Sequence, residues 1–410
     1  MSEIAVFGAG FVGVSTAIAL ARGGRDVVLV DKAGVGAGAS FGNAGVIQSE
    51  AVEPYEMPRD ARVLLRVMMG RDNGVAVRLA GAARQAGPLA AYFWHSSRRG
   101  VARASAHYAP LIHGATQAHL DLADLAGARG QFHQSGFRLR FSDRAVFDAV
   151  VRDAQRMARA HDLPMKVLSA EELGAAEPGL ADCGIGGIEW SAPYTVQKPS
   201  LLLQQYFDYF QSIGGKLLCG DALSLAPQGQ GWRFESDQGA MTVGEVVIAT
   251  GANSAEVARR LGGRAPIIAK RGYHAVLTGG RGLNAPLVDE AMGLVYAPQG
   301  NQIRVTTGAE IGGRAAQDMP RQLRVGIAQA ARLFDAGREP LSVWSGVRPC
   351  MPDMLPVMGA SGRHRGLWYN FGHGHQGLTL GPLAGQMLAG AIMGEGEALD
   401  HALSPERFKL

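Results

Sequence analysis

Apolar residues recur along this chain in two rhythms. Ile4-Ala-Val-Phe7 and Val27-Val-Leu-Val30 are apolar at every position, and between them Gly8 to Gly13 gives way to residues 14–22, whose Ala, Leu and Ile spacing is helical. Strands that are apolar on both faces suit a parallel sheet covered by helices. The opening segment therefore predicts a β-α-β unit and the α/β class. Glu245-Val-Val-Ile-Ala249 predicts another buried strand.

The texture then alternates. Residues 54–126 read as a helical insertion anchored by Tyr92, Phe93 and Trp94. Residues 136–141 alternate apolar and basic, a strand with one wet face. An amphipathic helix is predicted over 144–161, a capping box at Ser169 to Glu172 and a helix over 200–213. Strands at 272–277, 293–297 and 302–307 with a helix over 321–334 predict a second, mostly antiparallel domain. A strand over 366–372 and a helix from about 381 to 393 close the chain. Elements of the two kinds interleave, so the fold is α+β overall.

Composition narrows the function. The 410 residues are 47% hydrophobic and 19% charged, a globular chain rather than a disordered one. The net charge of +4 comes without any block of like charges, which argues against nucleic acid as a partner. Cys183, Cys219 and Cys350 are scattered, so free thiols are expected and no disulfide or zinc framework. No signal peptide is visible, which makes the cytoplasm the default. The arginines near Arg98, Arg99 and Arg103 read as a solvated face, with at most peripheral contact at the inner side of the membrane, because no stretch reaches the ~20 apolar residues of a span.

Glycine, at 57 residues, clusters where chemistry is expected. In Gly8-x-Gly10-x-x-Gly13 the first glycine permits a tight turn, the second lets backbone approach a pyrophosphate and the third lets helix pack on strand. The helix N-terminus faces the phosphates. Asp31, at the tip of the second strand, suits a ribose hydroxyl and repels a 2′-phosphate. Two further glycine-bearing stretches follow, Thr250-Gly251 after a buried strand and Asn370-Phe-Gly372-His373-Gly374-His375-Gln-Gly377-Leu378-Thr379 before a helix. The last is rich in backbone donors suited to a polar ring edge. Elements spread from end to end imply a long dinucleotide, and FAD fits. His373 and His375 lack a third ligand at sensible spacing, so no metal is read.

These stretches, together with Ser40-Phe-Gly-Asn43-Ala44-Gly45 and Trp344-Ser-Gly-Val-Arg348-Pro-x-x-Pro352-Asp353-x-x-Pro356-Val-x-Gly359, resemble the FAD-dependent D-amino-acid oxidase and dehydrogenase family over nearly the whole chain. Its bacterial D-amino-acid dehydrogenase small-subunit-like members are the nearest in kind. The resemblance implies a Rossmann-type FAD-binding domain of discontinuous segments (1–55, 152–262 and 346–410) and a substrate domain (56–151 and 263–345). It implies noncovalent FAD held by Gly8, Gly10, Phe11, Val12, Gly13, Asp31, Lys32, Ser40, Asn43, Ala44, Gly45, Val46, Leu223, Thr250, Gly251, Gly372, His373, Gly374, His375, Gly377, Leu378 and Thr379.

Oxidation of an amino acid requires an anchored carboxylate. Arg348 offers a bidentate fork for it; a structural pairing with Asp353 is the competing role. Tyr273 is expected either to donate to the same carboxylate or to pack in the core. His375 either takes a proton beside the substrate or braces its loop with His373. The implied reaction is oxidative deamination of a D-amino acid through flavin to a 2-oxo acid and ammonia, with electrons passed to a quinone or other carrier. A secondary-amine oxidase or dehydrogenase of the sarcosine, glycine or D-proline type is the alternative.

Overall fold

The computed structural model describes residues 3–279, 282–313 and 316–410. Its nucleotide-type sheet has six strands in the order Lys216–Leu218, Val27–Val30, Ile4–Phe7, Glu245–Ile248, Leu367–Phe371 and Val357–Ala360. The first five are parallel and the last is antiparallel. The all-apolar strands behave as their sequence requires. Ile4, Val6, Val27, Leu29 and Val247 enter one core beneath the helices Phe11–Arg22, Pro199–Ser212 and Gly377–Met393. The alternate residues Ala5, Phe7, Val28, Val30, Val246 and Ile248 enter a second core with the helix Ser254–Arg260 and a three-stranded meander over 226–243.

A ten-stranded mixed sheet forms the other layer, and the long strands Ile268–Thr278 and Pro340–Cys350 pair antiparallel within it. Helix Arg321–Phe334 covers one face of this sheet through Leu323, Ile327, Ala330 and Phe334. The boundaries expected from sequence shift here. Gly186–Trp190, expected among the nucleotide-binding segments, pairs with Phe137–Phe141 in the large sheet, and Met165–Ser169 pairs with its other edge. Pro340–Cys350 runs unbroken through the expected boundary at 346.

Several helix ends follow local chemistry. Asp143 caps Arg144–His161 by accepting from the Val146 N–H, and Ser169 with Glu172 forms the reciprocal capping box. The C-terminal helix starts at Gly377, earlier than the start near 381 expected from sequence. Proline at 382 cannot donate to the Leu378 carbonyl. Buried His119 satisfies that carbonyl instead, its Nε2 lying 2.7 Å away. Leu378 and Thr379 are therefore helical residues.

This helix crosses Phe11–Arg22 at backbone contact. A Cβ on Gly381 would lie 3.2 Å from the Phe11 carbonyl carbon, and one on Gly385 would lie 2.7 Å from that of Ser15. Gly385→Val is therefore expected to cost about 2–3 kcal/mol of stability, which urea denaturation of the variant checks.

Candidate active site

Three glycines shape the loop between the first strand and the first helix. Gly8 has φ of 109°, and a Cβ there would meet the Ala249 carbonyl oxygen at 2.4 Å. A Cβ on Gly13 would lie 1.7 Å from the Gly8 carbonyl oxygen, so the helix can sit on the strand only without one. Gly10 faces Ser40, whose Oγ would lie 2.9 Å from an added Cβ and which accepts from the Phe11 N–H at 3.2 Å. Asp31 accepts from the Ala9, Ala33 and Gly34 N–H groups at 2.8, 2.8 and 3.1 Å, which fixes its carboxylate beside this loop. Lys32 pairs with Asp221 at 3.3 Å, next to Leu223, whose N–H Asp221 also holds. The Thr250 hydroxyl meets that of Ser254 at 3.0 Å, and Gly251 has φ of 57°.

The tail of the chain comes to the same place. Gly372 and Gly374 have φ of 84° and 56°, and the Gly374 N–H donates to the Pro349 carbonyl at 3.0 Å. That bond ties the loop to the strand carrying Arg348. A run of amides then joins it to the segment after Gly45. Thr379 Oγ1 donates to Gln376 Oε1, Gln376 Nε2 to Gln48 Oε1 and Gln48 Nε2 to Glu50 Oε1, each at 2.7 Å. Asn43 Oδ1 accepts from the Gly45 N–H at 2.8 Å, and buried Arg304 donates to the Asn43 carbonyl at 2.5 Å.

Strand pleat decides which side chains face this region. Lys270, Gly272 and His274 sit opposite Arg348, Gly346 and Trp344 in the ladder, so they share one face. A Cβ on Gly272 would fall 2.5 Å from the Arg348 guanidinium, which lies across it. Arg348 donates to the Gly308 and Thr307 carbonyls at 2.7 and 3.1 Å and makes no ion pair among the described residues. Asp353 instead pairs with Arg407 at 2.7 Å, which removes the structural pairing considered from sequence. Tyr273 is a correction. It points to the opposite face, into the core under helix Arg321–Phe334, and donates to Glu310 at 3.1 Å. The pleat, not the residue's chemistry, takes it away from Arg348.

A cavity opens beside Arg348, lined by Tyr55, Tyr92, Tyr108, Lys270, Cys350, Met351, Met354 and the 372–376 loop. His375 lines it with the Tyr55 ring tilted against it, 5.2 Å between ring centroids. Burial, then the charges of Arg348 and Lys270, push the His375 pKa well below its ordinary value, so the ring is neutral. His373 is buried with Nε2 unpartnered among the described residues, and burial lowers its pKa to about 4. Burial raises the Glu50 pKa to about 7. Sequence reasoning had passed over Lys270, Tyr55, Tyr108 and Glu50. The one available signal was Gly272, an empty position between Lys270 and His274 that leaves room on that face.

The model of the family described as FAD dependent oxidoreductase matches residues 3–391. The chain belongs to that family. It is 29% identical to a D-amino acid dehydrogenase of Cereibacter sphaeroides, with 99% of this chain and 95% of that protein covered. It is 27% identical to a D-amino-acid oxidase of Bradyrhizobium diazoefficiens over 99% of both. Among solved structures, glycine oxidase from Geobacillus kaustophilus shares the fold with a TM-score of 0.77 at 21% identity, covering 98% of each chain. L-proline dehydrogenase from P. horikoshii does so at 0.74 and 16%, covering 100% of this chain and 98% of that one.

FAD is thus the cofactor of this flavoprotein's family, and the residues fit it. The cradle at Gly8, Gly10 and Gly13 is one that any Cβ would fill, and it opens on a helix start whose first N–H groups lack intrahelical partners.

The buried histidines make stability depend on acid. His119, His274 and His373 have pKa values of about 4 against an ordinary 6.5. The unfolded chain therefore binds more protons between these values, and their contribution, complete above about 6.5, is lost as pH falls towards 4. Glu50 acts oppositely, adding stability as pH falls through about 7. The histidines outnumber it, so the unfolding free energy should fall from pH 6.5 to 4, and His373→Asn should flatten the slope by about 1.4 kcal/mol per pH unit. Urea melts across that range measure it.

Proposed function

We propose that this flavoprotein oxidises D-amino acids to 2-oxo acids and ammonia. The observation that carries the reading is Arg348, a guanidinium without a carboxylate partner among the described residues, opposite the cavity-lining Lys270 in the ladder. Two relatives aligned over almost the full chain are named for D-amino acids, one a dehydrogenase and one an oxidase. Gly8, Gly10, Gly13, Asp31, Ser40 and the 372–379 loop would hold FAD without a covalent tether. When bound, FAD supplies the two-electron acceptor for the Cα hydrogen.

The chain's own groups do the positioning. Arg348 gives up its contacts to the Thr307 and Gly308 carbonyls and takes the substrate carboxylate through paired N–H donors. The positive charge of Arg348 and the neutral His375 imidazole near it disfavour a charged ammonium, so the amine is selected in its neutral form. Its lone pair then assists loss of the Cα hydrogen. The imine that leaves takes up water and releases ammonia and the 2-oxo acid. We assign the electrons to a quinone or another carrier. A secondary-amine substrate is the second reading, favoured only by the shared fold with glycine oxidase and L-proline dehydrogenase.

Anaerobic addition of D-amino acids should bleach the yellow protein, and sarcosine should not. Bleaching by sarcosine alone assigns the secondary-amine reading instead. Arg348→Met should raise the KM for D-amino acids by about a hundredfold with the FAD content unchanged. The pH profile of kcat/KM should rise about tenfold per unit towards the substrate's ammonium pKa without a further inflection near 6.5, because His375 is already neutral there.

A further inference from the structure

Lys270 is a second cation near the cavity, this one buried, that the reaction above does not use. Only 8% of it is exposed, and it sits directly opposite Arg348 in the ladder. Its Nζ donates to the Tyr92 hydroxyl at 3.0 Å and lies 4.2 Å from the centroid of that ring. The Tyr92 proton is committed elsewhere, to the Tyr55 carbonyl at 2.6 Å. Among the described residues no carboxylate lies within 4.0 Å of Lys270. Burial pushes the thiol pKa of neighbouring Cys350 up, so Cys350 stays protonated and does not neutralise it. An ammonium has three donors, and Tyr92 occupies one.

Tyr108 provides an independent observation. It projects from helix Arg98–Leu125 into the same cavity, is 5% exposed, and its hydroxyl has no hydrogen-bond partner among the described residues. A buried ammonium without a counter-ion is costly, and the Tyr108 hydroxyl, open to the cavity, has a donor to spare. Spare ammonium donors and a free phenol on one cavity wall ask for an acceptor-only anion. Directly opposed residues of an antiparallel pair have Cβ atoms about 5 Å apart, so the bases of the two cationic side chains are close enough to serve one small molecule with two carboxylates.

We propose that Lys270 and Tyr108 form a second anion subsite that takes the side-chain carboxylate of an acidic amino acid, while Arg348 holds the α-carboxylate. The preferred substrates are then D-aminodicarboxylates of the D-glutamate and D-aspartate class. This rests on the amino-acid oxidation proposed above.

The test compares D-glutamate with D-norvaline, which has the same number of carbons and lacks the second carboxylate. Anaerobic flavin reduction by the FAD-loaded protein should favour D-glutamate by about tenfold or more in kcat/KM, and Lys270→Met should collapse that ratio to about one. Calorimetric titration with 2-oxoglutarate and 2-oxopentanoate gives a readout independent of turnover, and the same preference and the same collapse are expected. Tyr108→Phe should lower the ratio severalfold, which keeps the test available if Lys270→Met does not fold. Equal handling of the two substrates by the natural protein would overturn the subsite. So would an equal loss for both in Lys270→Met, which would make Lys270 part of the α-carboxylate anchor. If neither D-amino acid bleaches the flavin, the oxidation reading fails, and the 2-oxoglutarate preference in calorimetry then decides the subsite alone.

Discussion

Backbone touching backbone at glycine is the constraint from which the rest of the molecule follows. Gly13 rests on the Gly8 carbonyl, and Gly381 and Gly385 rest on Phe11 and Ser15. Without a Cβ at these positions the first and last helices of the chain cross at van der Waals contact, and their N-terminal ends come to one edge of the parallel sheet. Dispersion contacts of this density are individually small and collectively large. Their consequence is positional. They bring residues 372–379 beside the first turn of the chain, where the amide run through Gln376 and Gln48 then locks the segment after Gly45 in place.

The second constraint is the pleat of the strand pair Ile268–Thr278 and Pro340–Cys350. Period-2 alternation sends Tyr273 into the core and keeps Lys270, His274, Trp344 and Arg348 on the face turned to the glycine loops. That face is electrostatically unusual. Lys270 is buried and Arg348 half-buried, both cations without carboxylates among the described residues, and the imidazoles near them are held neutral. A protein that bears the cost of desolvating two positive charges has a wall prepared for negative charge. The Gly308 and Thr307 carbonyls hold Arg348 in the meantime, weakly enough to be exchanged for a carboxylate, which forms stronger charge-assisted bonds.

Much of this was legible in sequence, for physical reasons that can be named. All-apolar strands, the Gly8-x-Gly10-x-x-Gly13 spacing and the capping signals at Asp143 and Ser169 depend on neighbours close along the chain, and each appears in the structure as read. The motif singled out Arg348, but its freedom from Asp353 was not legible, because Arg407 arrives from the far C-terminus. Tyr273 was misplaced because facing depends on register, which no local pattern reveals in a strand flanked by glycine. Lys270, Tyr92 and Tyr108 meet only through a sheet and two helices distant in sequence, so their shared cavity had no signature. The early start of the last helix depends on a contact distant in sequence, since the Leu378 carbonyl that Pro382 leaves without a donor is met by His119.

The central claim is that the two ends of the chain hold one extended FAD while Arg348 waits for a substrate carboxylate. A crystal structure of the FAD-loaded protein with a bound 2-oxo acid tests this most directly. The account predicts a dinucleotide running from Asp31 past Gly10 to the 372–379 loop, with the acid's carboxylate on the Arg348 guanidinium. A carboxylate bound elsewhere, with Arg348 still donating to the Thr307 and Gly308 carbonyls, would contradict it.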